Sequence, residues 1–403
     1  MKQNWKSWRK PTILLCTLGF AGIGDFIYLV AINILVYQIT ESAAAVATLW
    51  MIGPLVNIAT KFWTGSYIDY RNKRKIMMIT YFIRGVLILC IPFAPNMYVM
   101  FLILICLSIA KSFFSPASIT YIAAFIHKGM RKRFNSIQSL TSSGAFIIGP
   151  SIAGSLILLF GVHHTLFINS GAFFIAALLL SFLPHVDDGK QKAPRLSFAQ
   201  IKGDWVVGLL FMKQNKYVAL IYGLFLTTTI FSFAMDAQEV VFTQQVIGLS
   251  EMDYSLLISI TGIGSVIGAF LLSTFSNTLS LRYMIGIGVI MQTIGYLIYA
   301  FSWSFLSIVV GFILLGFFLV FLNAGMMTFY QNNVPTEIMG RVTSMFQLAQ
   351  SGLQIIFVIT VGGIADIIPL RITIIFLASC MLIVSIFILL QVLQNDKSLY
   401  YQA

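Results

Sequence analysis

The chain has 403 residues, of which 59% are hydrophobic and 9% charged, with a formal net charge of +12 and a mean hydropathy of +0.91. Soluble domains carry about 25% charged residues, so a water-soluble fold of this length is excluded. The excess of positive charge does not indicate nucleic acid, because the basic residues stand between apolar runs, where they set membrane orientation.

Apolar runs of about 20 residues match the length needed to cross a hydrocarbon core. In lipid every backbone polar group must be paired within the segment, so these runs are helices. The alternating pattern of a membrane barrel is absent. Cys16, Cys90, Cys106 and Cys380 all lie inside apolar runs, with no metal-ligand spacing and no disulfide framework.

Helices are expected at 12–39, 44–67, 76–94, 98–125, 134–160, 165–183, 217–246, 252–276, 282–301, 304–332, 341–366 and 369–394. The fold class is therefore an all-α membrane protein with twelve transmembrane helices. Lys2, Lys6, Arg9 and Lys10 precede the first run, as in a signal peptide. That run is too long, and no small-residue cleavage site follows, so a retained first helix is expected. Asp25 lies about halfway along it. The loop after the second helix holds Arg71, Lys73, Arg74 and Lys75, and Lys61 is close enough to that helix end to snorkel. Arg84 lies in the third helix and Lys111 in the fourth. The next loop holds Lys128, Arg131, Lys132 and Arg133.

A polar linker at 184–216 divides the chain into a first bundle, 1–183, and a second, 217–403. Its segment Leu196–Lys213 carries Phe198, Ile201, Trp205, Leu209 and Met212 at helical spacing, which suits an interfacial amphipathic helix. In the second bundle, Asp236 and Glu239 fall in the outer part of the seventh helix. Basic residues mark every loop on one side, whereas the opposite loops contain only Arg371. Both termini are thus expected in the cytoplasm.

A shift of 208 residues pairs Arg133 with Arg341, Ser136 with Ser344, Gly144 with Gly352 and Gly154 with Gly362. Repeated halves imply a substrate site near the membrane midplane, exposed to each side in turn.

Three segments carry mechanism. In Gly65-Ser-Tyr-Ile-Asp69-Tyr-Arg71-Asn-Lys73-Arg74-Lys75 the glycine allows close helix packing, and the Asp69 carboxylate can accept hydrogen bonds at a helix N-terminus. In the fifth helix, Gly149-Pro150 and Gly154 sit among small residues. Pro150 cannot donate to the Phe146 carbonyl, and Ala145, Gly149 and Ala153 make a flat stripe for another helix. Gly264 and Gly268 in the eighth helix form a matching stripe. After the tenth helix comes Val334-Pro335-Thr-Glu337-Ile-Met-Gly340-Arg341, in which Glu337 and Arg341 stand four apart and can pair on one helical face.

The first segment resembles the loop signature of major facilitator transporters, departing from it at Tyr70 and Asn72. The fifth-helix segment resembles that family's antiporter signature, and the third the equivalent loop of macrolide-efflux-like facilitators. The resemblance implies two six-helix bundles and a cytoplasmic gate formed by Gly65, Asp69, Arg71, Lys73, Arg74, Glu337 and Arg341. It implies a secondary exporter of a small amphipathic molecule by proton antiport, acting as a monomer in the cell membrane. Such exporters often carry an arginine in the fourth helix. Anchored on Pro116, the matching position is Leu107, and Lys111, one turn away, is the expected substitute.

Intramembrane ions are costly and default to function. Asp25, Asp236 and Glu239 are the candidates for proton coupling, and Arg84 and Lys111 the candidate cavity charges. The 35 Phe and 17 Met suit a cavity that repacks around varied ligands. No nucleotide loop, metal cluster or nucleophile-base set appears in the sequence, so no cofactor and no enzymatic reaction are expected. A proton-coupled nutrient importer and a lipid flippase are the alternatives.

Overall fold

A computed structural model describes residues 5–40, 43–186, 197–276, 278–365 and 368–402. Residues 187–196 of the expected linker lie outside the described residues. The protein is all-α, with no strand among the described residues. The long helices are α1 (Trp5–Thr40), α2 (Ala43–Asp69), α3 (Lys73–Cys90), α4 (Met97–Phe125), α5 (128–160) and α6 (162–181). The linker contributes α7 (Phe198–Gln214). Then follow α8 (Lys216–Asp236), α9 (Glu251–Phe275), α10 (Leu281–Phe301), α11 (Phe305–Asn333), α12 (Met339–Ala365) and α13 (Leu370–Leu393).

Local chemistry sets the breaks. Between α5 and α6 only Gly161 leaves the helical region, at φ 80° and ψ 166°, a conformation that glycine adopts without a Cβ clash. Asn72 and Asn96 cap α3 and α4 by accepting from the amides of Lys75 and Val99. Ser250 and Asp253 form a reciprocal capping box at the start of α9. The Ser250 hydroxyl and amide hold the Asp253 carboxyl below its usual range. The expected loop after α4 is shorter than the charges suggested, since Arg131, Lys132 and Arg133 lie in the first turns of α5. The seventh helix also ends early. α8 stops at Asp236, and a turn leads through Glu239–Val241 into the π-helical segment Phe242–Val246.

The chain forms two compact units. The first comprises Met1–His127, Gly144–Leu210 and Val334–Ala349. The second comprises Lys128–Ser143, Phe211–Asn333 and Gln350–Ala403. The start of α5 thus belongs to the second unit and the start of α12 to the first. These two segments correspond closely under the 208-residue repeat.

Within the second unit, glycines let helices approach backbone to backbone. A Cβ on Gly264 would lie 2.8 Å from the Ile313 carbonyl oxygen, and one on Gly268 would lie 2.5 Å from that of Phe317. Gly295 and Gly311 do the same for α10 and α11. The Ser265 hydroxyl donates to the Gly316 carbonyl at 3.0 Å, fastening α9 to α11. This unit also holds a buried apolar core that includes Phe242, Tyr299, Phe312 and Met381.

Candidate functional site

The first unit holds a buried charge cluster at the start of α12. Pro335 prevents α11 from continuing, and Thr336–Ile338 form a turn before α12 begins at Met339. The early amides of a helix have no intrahelical partner. Here Asp69, the last residue of α2, supplies one. Its Oδ1 accepts from the Gly340 amide at 2.7 Å and its Oδ2 from the Arg341 amide at 3.0 Å. The Arg341 Nε donates to the same Oδ2 at 2.8 Å. The Asp69 side chain is fully buried.

Close approach makes this possible. A Cβ on Gly65 would lie 2.7 Å from both the Arg341 Cα and the Gly340 carbonyl oxygen, and a Cβ on Gly340 would overlap Asp69. Thr64 and Ser344 meet beneath the cluster at 3.3 Å. The remaining donors of Arg341 are used as well. Nη1 reaches Asp204 Oδ1 at 2.8 Å and the Tyr70 hydroxyl at 3.2 Å, and Nη2 donates to the Glu337 carbonyl at 2.8 Å.

The other expected gate residues stand at the neighbouring helix ends. Arg71 lies over the Tyr67 ring at 4.0 Å and donates to the Tyr67 carbonyl. Lys73 Nζ reaches the Asp69 carbonyl at 2.9 Å. Arg74 donates to the carbonyls of Ser181 and Leu183 at the end of α6, where a cation complements the helix dipole. Glu337 joins the cluster through its backbone. It precedes the first turn of α12, so the helical spacing that would pair its carboxylate with Arg341 does not apply.

The start of α5 is clasped differently in the second unit. Arg131 Nη1 donates to the Gln331 carbonyl at 2.5 Å and to Asn332 Oδ1 at 3.0 Å. Asn135 donates to Thr328 and Gln331, both at 2.9 Å, and Lys132 to the Leu279 carbonyl. These partners are neutral, where the first unit uses carboxylates.

Within the membrane span, the structure brings Asp25, Arg84 and Lys111 together. Arg84 forms an ion pair with Asp25 and lies 4.2 Å over the Phe173 ring. Lys111 Nζ stands 3.9 Å from the same carboxylate oxygen, with its side chain 65% exposed against 4% for Arg84. Lys61 does not snorkel. It is 3% exposed and donates to the Ser112 carbonyl in α4 at 2.5 Å. In the second unit Asp236 accepts the Tyr296 hydroxyl at 2.8 Å. Glu239 has one buried oxygen without a hydrogen-bond partner. No ion pair of either acid is found among the described residues.

The small-residue stripe of α5 is filled by α1. A Cβ on Gly149 would lie 2.5 Å from the Phe26 Cβ, while Ala145 and Ala153 are buried. The eighth-helix stripe, Gly264 and Gly268, is taken by α11, as above. Pro150 and Gly154 are exposed, and a Cβ on Gly154 would meet nothing within 4 Å.

Sequence reasoning missed Asp204 and Asn135, and read Lys61 as a snorkelling residue. For Asp204 a signal existed: Gln200, Asp204 and Gly208 recur at four-residue spacing, a small polar stripe on one face of α7. Lys61 and Asn135 carried no such signal, because their partners, a backbone carbonyl for Lys61 and a hydroxyl and an amide side chain for Asn135, come from distant helices.

Long apolar helices with buried charges at a helix junction and in mid-span are the architecture of a multi-pass membrane protein. A sequence model of the Major Facilitator Superfamily matches residues 14–358, and the chain belongs to that family. It is 24% identical over 306 residues to the multidrug efflux pump Tap of Mycolicibacterium fortuitum, covering 72% of this chain and 74% of that one. It is also 24% identical over 357 residues to the putative bacilysin exporter BacE of Bacillus amyloliquefaciens, covering 82% and 83%. The match to the uncharacterized MFS-type transporter YfiS of Bacillus subtilis is 26% over 181 residues, and spans 45% of this chain and 43% of that relative. Among solved structures, the human organic anion transporter MFSD10 superposes with a TM-score of 0.79 at 12% identity, covering 96% of this chain and 100% of that one. The major facilitator transporter FucP gives 0.77 at 14% identity, covering 96% and 99%. These two likenesses show the fold.

Proposed function

We propose that the protein exports a small amphipathic molecule in exchange for protons, exposing its substrate site to the two sides of the membrane in turn. Two six-helix halves, 1–183 and 217–403, joined by the linker 184–216, would carry the cycle in a monomer. Both termini are assigned to the cytoplasm on the basic asymmetry of the loops. The likeness to Tap and BacE carries the direction, because both are described as exporting proteins. Asp69 and Arg341 act as the cytoplasmic gate: a fully buried carboxylate on the first amides of another helix favours the state in which that contact is made.

For the coupling proton we favour Asp236 and Glu239 over Asp25. Arg84 and Lys111 already compensate the Asp25 charge, whereas the two acids of the second unit lack such a partner among the described residues. One proton moving down 100 mV supplies about 2.3 kcal/mol, which is about 50-fold in the gradient of a neutral substrate.

The test is a susceptibility panel of amphipathic antibiotics and siderophores, read in cells with and without the protein. At least one inhibitory concentration should rise about fourfold or more, a modest shift on the free-energy scale. Unchanged or lowered values across the panel would contradict export, and lowered values would indicate uptake.

A further inference from the structure

The linker helix α7 does not lie free of the gate. Asp204, on its buried face, is 2% exposed. Its Oδ1 accepts from Arg341 Nη1 at 2.8 Å, from the Tyr70 hydroxyl at 2.8 Å and from Gln200 Nε2 at 3.2 Å. Tyr70 directly follows the gate carboxylate and is a position where the loop departs from the signature it resembles. The next residue, Trp205, donates through its Nε1 to the Phe62 carbonyl of α2 at 2.9 Å, with the two rings 5.4 Å apart. Gly208 meets Met345 of α12 so closely that a Cβ would lie 2.5 Å from its sulfur. One face of α7 is therefore fastened to both partners of the gate, α2 and the start of α12.

The charge arrangement makes this more than packing. Arg341 carries one positive charge and faces two buried carboxylates, Asp69 and Asp204. Asp204 Oδ2 has no hydrogen-bond donor, and Asp204 lines the same water-sized cavity, about 10 Å³, as the buried Lys61. Two acids and two bases thus share one buried neighbourhood. Removing a partner from such a set leaves an uncompensated buried charge, which is strongly unfavourable. Arg341 cannot shed its proton, so it cannot leave Asp69 while staying on Asp204 without carrying α7 along.

We propose that Asp204 is a positioning residue of the gate, and that α7 is a moving part which must release Arg341 each time Asp69 does. A tether or a helix that only rests on the membrane surface has no need to bury an aspartate. The inference rests on reading Asp69 and Arg341 as the gate, and the experiment separates the two.

The full-length protein, with Cys16, Cys90, Cys106 and Cys380 replaced and Ser344→Cys introduced, is placed in lipid nanodiscs. Position 344 is 2% exposed beneath the cluster, so its rate of modification by a small maleimide reads gate opening. Asp69→Asn and Asp204→Asn should each raise that rate about tenfold or more, as loss of a buried ionic partner implies. Asp204→Glu should bring it back to within about threefold of the parent, which a purely structural role would not require. The double variant should open less than the product of the single effects, because the two acids share one guanidinium. Tyr70→Phe removes a single hydroxyl, should raise the rate by about two- to fivefold, and decides the matter if Asp204→Asn does not fold. If Asp69→Asn opens the site while Asp204→Asn or Tyr70→Phe leaves it unchanged, the linker proposal is overturned and the gate stands. If Asp69→Asn also leaves it unchanged, the gate reading fails and takes the proposal with it.

Discussion

Asp69→Asn is expected to lower the transport rate at least about tenfold while substrate affinity in detergent stays within a few-fold. The carboxylate accepts two backbone amides and the Arg341 Nε through both of its oxygens. An asparagine offers one acceptor oxygen and turns an NH2 group toward donors. Arg341 is then left with half its compensation in a buried site, at a cost of about 3–5 kcal/mol. That cost falls on the conformations in which the cluster is formed and not on those in which it is open. A difference of this size moves a two-state equilibrium by about a hundredfold or more, so the carrier stalls on one side of its cycle. Nothing in the cluster belongs to a mid-membrane site, so ligand affinity is spared. Gly340→Ala should act in the same direction, since its Cβ would overlap Asp69. Transport rates measured at matched expression decide the point, and a normal rate in Asp69→Asn would refute the gate.

The second large effect is on stability. Asp25→Asn removes the counter-ion of Arg84, whose side chain is 4% exposed in the membrane span. Arginine stays charged in proteins, and an unpaired charge there costs about 3–5 kcal/mol. The thermal midpoint in detergent should fall by several degrees. The double variant Asp25→Asn with Arg84→Gln should recover most of the loss, since it replaces an ion pair with two neutral groups. A stable single variant that has lost proton movement would instead identify Asp25 as the proton carrier.

The helices were legible because bilayer thickness and backbone pairing leave few alternatives to apolar runs of this length. Asp69 was legible too, since a glycine four residues before an acid at a helix end has a direct physical meaning. The exact partners were not. Glu337 and Arg341 have helical spacing, but Pro335 delays the start of α12 and sends the guanidinium to Asp69 and Asp204. Lys61 looked able to reach the interface, yet a carbonyl on α4 holds it inside. Arg84 and Asp25 lie 59 residues apart on different helices, a pairing that local pattern cannot encode. The break of α8 beyond Asp236 was hidden because its residues remain apolar enough to read as one helix.

The most direct test of proton-coupled export uses inside-out membrane vesicles with an acidified lumen and a pH-sensitive dye. A compound to which the protein confers resistance is added outside, on the former cytoplasmic face. Exchange predicts immediate loss of lumenal protons with the wild type, and little or none with Asp236→Asn or Glu239→Gln. Accumulation of the compound in the lumen with no change in lumenal pH would contradict proton antiport.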